Sequence, residues 1–223
     1  HAFLLAGDEY RHHSVESELP LAYTMDETYF DMAEHLIETG PERGFYAFYV
    51  RGVDLLGHAA MHASELYPEA EATPDERRRY GELTSRYYAY TFARLRRLVE
   101  TIGDDAAVMI LSDHGFEQIA PDEYGHENAP TGVIMVPNAA EGAGWGGERA
   151  SVYYIAPSVL WLSGYPASDD MPGRELVDVF PERARAAPPL PRVPTYGTRW
   201  DRAPMELADD DASNAEQLEL LRS

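Results

Sequence analysis

Residues 107–115 read AVMILSDHG, five apolar residues that run directly into Ser112, Asp113, His114 and Gly115. A short, uninterrupted apolar run bounded by polar residues and glycine suits a strand buried on both faces, as in a parallel sheet covered by helices. Adjacent aspartate and histidine at the end of such a strand have little structural use, because buried charge is costly unless it is paired or bound to a cation. Successive side chains on a strand point opposite ways, yet both converge where the chain turns, and Gly115 is expected to supply that turn.

Working outward, the same arrangement recurs twice. Residues 45–50, FYAFYV, lead into RGVDLLGH, and residues 133–136, VIMV, follow YGHENAPTG. Helical patterns separate these runs. Thr24-Met-Asp-Glu27 has the form of a capping box, with Phe30, Ala33, Leu36 and Ile37 at helical spacing before Gly40-Pro41. Thr73-Pro-Asp-Glu76 is a second box, with Pro74 at the first helical position, and it opens a helix expected to reach Ile102 and stop at Gly103. The alternation predicts an α/β fold with a mostly parallel central sheet flanked by helices, and ligands bind such sheets at the carboxyl ends of the strands.

Beyond these runs, residues 157–164 predict a short apolar helix closed by Gly164, and residues 140–150 form a glycine-rich loop too irregular for a phosphate-binding fingerprint. Residues 1–180 read as one domain. Residues 181–223 read as a Pro-rich and acidic tail with a short terminal helix from Asn214.

Composition narrows the function. With 44% hydrophobic residues in 223, the chain supports one core rather than two. It has no cysteine, so disulfides and thiolate metal sites are excluded and any metal must be held by nitrogen and oxygen. All 18 basic residues are arginine against 39 acidic ones, a formal charge of −21. That charge repels phosphate backbones and argues against non-specific nucleic-acid binding, although bound divalent cations still attract an anionic substrate locally. A salt-rich habitat and a GC-rich coding sequence account for the lysine-free composition equally well. No membrane span or signal peptide is visible, which leaves cytoplasmic and exported locations open.

Five residues stand out. Asp54 and His58 are four positions apart, on one side of a helical turn, with Gly57 expected to let the backbone bend. Asp113 and His114 end a strand, and His126 lies in the loop after them. Two carboxylates and three imidazoles suit zinc, with manganese as the alternative, in number enough to hold two ions incompletely. Two cations roughly 4 Å apart clamp the attacking and leaving oxygens of a phosphoryl displacement.

The ordered series D-L-L-G-H, S-D-H-G-F and G-H followed by A-P-T-G-V-I-M-V resembles the alkaline phosphatase superfamily, within it the type I phosphodiesterase and nucleotide pyrophosphatase branch. Residues 152–179, with I-A-P-S-V-L-W-L-S-G-Y-P and D-M-P-G-R-E-L, resemble the same branch, so the likeness covers about residues 26–180. The resemblance implies that Asp54, His58 and His126 hold one metal and Asp113 and His114 the other. It also implies a further aspartate and a Thr or Ser nucleophile near the start of the family domain. Neither has a match here, so the chain reads as a C-terminal portion of that domain, inactive by itself, with the nucleophile expected upstream. The terminal LELLRS resembles the family's closing helix.

The expected function is a metal-dependent phosphodiesterase acting on a small phosphoester. The alternatives are a phosphomonoesterase, sulfatase or phosphoglycerate mutase of the same superfamily, and a non-catalytic metal-binding remnant. His62 reads as a solvated helix histidine, and His12, His13 and His35 as surface residues. Arg51 reads as the partner of a neighbouring carboxylate ahead of a phosphate ligand. The tyrosines at 80, 87, 88 and 90 read as packing.

Overall fold

The computed structural model describes residues 14–40, 44–103, 106–120, 123–126, 128–137, 150–181 and 188–197. Helix α1 spans Val15–Thr39, with Ser14 as its cap, accepting from the Ser17 backbone N–H at 3.2 Å, and Glu16 and Glu18 in the first turn. It therefore starts ten residues before the predicted capping box. Thr24 sits inside the helix, where its carbonyl accepts from the Thr28 hydroxyl at 2.7 Å. Pro20 is tolerated within α1 because it is exposed, so the carbonyl it leaves unpaired meets water. The buried stripe Val15, Ala22, Asp26, Phe30 and Ala33 keeps helical spacing and faces the rest of the molecule.

Helix α2, Gly52–Ala60, is short and mostly buried, and continues as a 3-10 turn over Met61–Ala63. Thr73 opens α3, Pro74–Tyr80, with both halves of the capping box formed. The single long helix expected from this box is two. It breaks at Gly81, whose carbonyl accepts from the Glu65 N–H at 2.9 Å, and α4 then spans Leu83–Ile102. Gly103, at φ 64, ends it as predicted. Helices α1, α2 and α4 pack around Ala22, Leu55, Leu56 and Tyr87, and α1 and α4 also around Phe30, Ala33 and Leu98.

Three acidic residues of α1 are consumed internally. Arg94 of α4 pairs with Glu27, Asp31 and Glu34 at 3.6, 2.7 and 3.5 Å, and Arg97 reaches Glu34 at 3.0 Å.

The strands differ from expectation. β1, Ile110–Leu111, pairs antiparallel with β4, Ile134–Met135, and β2, Glu117–Ala120, pairs antiparallel with β3, Glu123–Gly125. A mostly parallel sheet is not formed among the described residues. The reason lies in the connection: a parallel pair needs a long crossover, normally a helix, whereas the chain between β1 and β4 returns through the β2–β3 hairpin. Residues 45–50 form no strand ladder among the described residues. Phe45 and Tyr49 are each 65% exposed, where burial on both faces was expected. Only Val50 packs inward, against the Phe30 cluster.

Helix α5, Ile155–Leu162, carries Pro157 in its first turn and ends before Gly164 at φ 78. Trp161, Leu176, Val179 and Phe180 form a second core that receives Met109, Ile134 and Val136. Part of the presumed tail is firmly held: Val193 bridges Ser168, and Arg192 donates to the carbonyls of Ser168, Met171 and Gly173 at 2.8, 3.2 and 2.8 Å. Residues 140–149 of the glycine-rich loop, His12, His13 and the expected terminal helix from Asn214 lie outside the described residues. No helix among the described residues is long and apolar enough to cross a membrane.

Candidate metal centre

The site begins with α2. Its first backbone N–H groups have no partners inside the helix, and a carboxylate 25 residues earlier supplies them. Asp26, wholly buried on α1, accepts from Arg51 N and Gly52 N at 3.1 Å and from the Tyr87 hydroxyl at 2.8 Å. Burial pushes the Asp26 carboxyl up, and the hydrogen bonds from Tyr87, Gly52 and Arg51 oppose that shift. The Tyr87 hydroxyl is pushed up in turn, first by burial and then by Asp26. One side chain thus fixes the head of α2 against both α1 and α4.

On α2, Asp54 and His58 fall one turn apart as the spacing predicts, with His58 Nε2 3.6 Å from Asp54 Oδ1. The helix runs straight through Gly57. Its hydrogen side chain is needed because the Phe116 ring lies where a Cβ would be, not for a bend. His58 Nδ1 donates to the Tyr124 carbonyl at 2.9 Å. Because a carbonyl only accepts, this bond puts the proton on Nδ1 and turns the Nε2 lone pair toward Asp54.

The strand side repeats that device. His114 Nδ1 donates to the Gly115 carbonyl at 3.0 Å, leaving Nε2, 3.6 Å from Asp113 Oδ2, as the ligating nitrogen. The turn is held by the Ser112 hydroxyl donating to the His114 carbonyl at 2.8 Å and by a bridge from His114 to Thr131. Gly115 does not adopt a left-handed conformation. Its backbone donates to the Pro130 carbonyl at 2.8 Å, and a Cβ there would press on that oxygen at 3.2 Å. Asp113 is mostly exposed, with 77% of its side chain accessible.

His126 follows β3 and is exposed, yet its ring stacks on His114 with centroids 4.2 Å apart and lies 5.4 Å from that of His58. One ligand atom each from Asp54, His114 and His126 falls within 4.8 Å of the other two. The structure brings this trio together across the two groups implied by the family pattern. His58 adjoins the trio through Asp54, and Asp113 through His114. Phe116 sits among the three imidazoles, its ring 5.2, 6.0 and 6.4 Å from those of His58, His114 and His126.

No protein-family model, curated protein or solved structure matches the chain significantly. The site therefore rests on its own chemistry. Asp54 Oδ1 is buried with no hydrogen-bond partner among the described residues, an expensive state for a carboxylate oxygen unless a cation completes it. Imidazole nitrogens held by carbonyls on their far side and a desolvated carboxylate oxygen make a donor set suited to zinc or manganese. His62 stands apart from this group: it lies in the 3-10 turn, largely covered, with its Nε2 3.9 Å from Glu76 Oε1, rather than solvated on a helix.

Sequence reading missed three contributors: Asp26, Phe116 and the Tyr124 carbonyl. A backbone carbonyl leaves no signal in sequence, and Asp26 was read as part of a local cap. Phe116 had one signal, the glycine at position 57 in an otherwise regular helix.

Proposed function

We propose that this chain carries the metal-binding part of a two-metal phosphoric ester hydrolase of the phosphodiesterase and nucleotide pyrophosphatase type. The observation that carries the reading is the convergence of Asp54, His114 and His126, from a helix, a strand end and a loop, within 4.8 Å. Divalent cations in such a site polarise a phosphoryl oxygen and lower the pKa of an attacking hydroxyl or water. By the family pattern Asp54, His58 and His126 would hold one ion and Asp113 and His114 the other, and the ligand atom of His114 lies within reach of those of Asp54 and His126. The Tyr124 and Gly115 carbonyls keep the His58 and His114 rings in the tautomer that ligates, and Phe116 packs nearly at right angles against all three imidazoles.

In this reading the nucleophile and one further aspartate come from the part of the catalytic domain that precedes these residues. The mostly parallel sheet belongs to the same proposal. The exposed apolar side chains of residues 45–49, with Leu111 and Met135, support it, because they are apolar surface that neighbouring strands would cover. Leu111 is 45% exposed at the end of a strand whose sequence is wholly apolar.

The test starts with metal. After gentle purification and resupply with zinc or manganese, elemental analysis is expected to find bound metal in the wild type and much less in Asp54→Asn. A wild-type chain that stays empty would falsify the proposal. A chromogenic phosphodiester, phosphomonoester and sulfate ester, tested on a polypeptide that includes the reading frame before His1, then rank the ester classes. No hydrolysis of any ester by a metal-loaded protein favours the non-catalytic module.

A further inference from the structure

Among the described residues, Arg51 is the guanidinium set against the ligand cluster, its Nε 3.9 Å from Asp54 Oδ2. The other arginines with carboxylate partners are committed elsewhere. Arg79, Arg94 and Arg97 bind α1, Arg78, Arg86 and Arg96 pair with carboxylates three or four residues away, and Arg192 reaches Glu175. The contact to Asp54 is long, involves a single nitrogen, and leaves 51% of the Arg51 side chain accessible. Its backbone, by contrast, is pinned. The N–H donates to Asp26 Oδ1 at 3.1 Å and the carbonyl accepts from Leu55 N at 3.2 Å.

This arrangement places a permanent cation beside a carboxylate that the proposed function assigns to a divalent ion. With an ion bound, Asp54 can no longer balance both charges, and a guanidinium within a few ångströms of divalent cations is repelled unless an anion lies between them. The planar fork of arginine fits two oxygens of one phosphoryl group. We propose that Arg51 is the anion receptor of the site. On metal loading it exchanges Asp54 for non-bridging oxygens of the phosphoester, and it selects substrates that keep such oxygens charged. The inference rests on the metal reading above, and it assigns a residue that reading leaves as a bystander.

Isothermal titration of the full chain, first with zinc and then with inorganic phosphate, tests it in the wild type, Arg51→Gln and Arg51→Lys. Because, among the described residues, the hydrogen bonds of Arg51 are made by its backbone, both variants are expected to fold, checked by circular dichroism. Arg51→Gln is expected to bind zinc at least as tightly as the wild type and phosphate about 10- to 100-fold more weakly, with Arg51→Lys between. Equal phosphate affinity in zinc-loaded wild type and Arg51→Gln overturns the assignment, as does a zinc-loaded wild type that binds no phosphate, and in both cases the metal site stands. A wild type that binds no zinc removes the metal site and the assignment together.

Discussion

The two halves of the candidate site are built differently. Asp54 and His58 stand on a buried helix whose first N–H groups are held by Asp26 and whose sides pack on α1 and α4. Asp113, His114 and His126 stand on two-residue strand ends and loops, where Leu111 is 45% and Val133 52% exposed. The first half is organised by a core, the second by a handful of turn hydrogen bonds. Geometry on the helical side is therefore coupled to global stability, whereas on the strand side it changes without unfolding the protein.

The sharpest way to break this contrast is Asp26→Ala, which strands the buried Gly52 N–H, the partly buried Arg51 N–H and the Tyr87 hydroxyl. It is expected to cost about 3 kcal/mol in urea unfolding and to abolish zinc binding as α2 loosens. Next, Gly57→Ala pushes a methyl into the Phe116 ring. A loss of about 2 kcal/mol is expected, despite the better helix propensity of alanine. His126→Ala tests the other half: it should change stability without zinc by less than about 0.5 kcal/mol. Zinc affinity should nevertheless fall steeply, and an equally large loss of apo stability would erase the distinction between the halves.

Acidification separates the halves again. Ligating imidazoles must be neutral, so zinc affinity is expected to fall on acidification, read by titrating zinc into the protein at a series of pH values. Asp26 supplies the smallest effect. Its folded pKa is raised from 3.8, so its contribution is complete below that value and is lost as pH rises through the raised one. The stability of the wild type relative to Asp26→Asn should decline over that window. A flat difference would mean that Asp26 titrates as it does in the unfolded chain.

Much of this was legible in the sequence because it is local. The Thr73 box, the Gly103 and Gly164 stops and the one-turn spacing of Asp54 and His58 each depend on a few neighbouring residues. What was not legible depends on partners far along the chain. Thr24 and Glu27 satisfied a local pattern, but Ser14 already capped the helix, and Asp26 was recruited to the head of α2 instead. Residues 45–50 and 107–111 have strand composition, yet a strand exists only where another lies beside it, and composition does not say which neighbour arrives or in which direction. The convergence of His114 and His126 likewise depends on the β2–β3 hairpin folding back, which no spacing rule specifies.

Tyr124 links the two halves in a way that bears on how fast an ion could be exchanged. Its carbonyl holds His58, its side chain is buried with Met61 and Ala70, and it lies in the same strand that leads to His126. Swinging the hairpin away would release the His58 tautomer and remove His126 in one motion. An ion held there would not peel off ligand by ligand. Its departure would be coupled to the opening of β2 and β3, and the off-rate would rise with the amide exchange of those two strands.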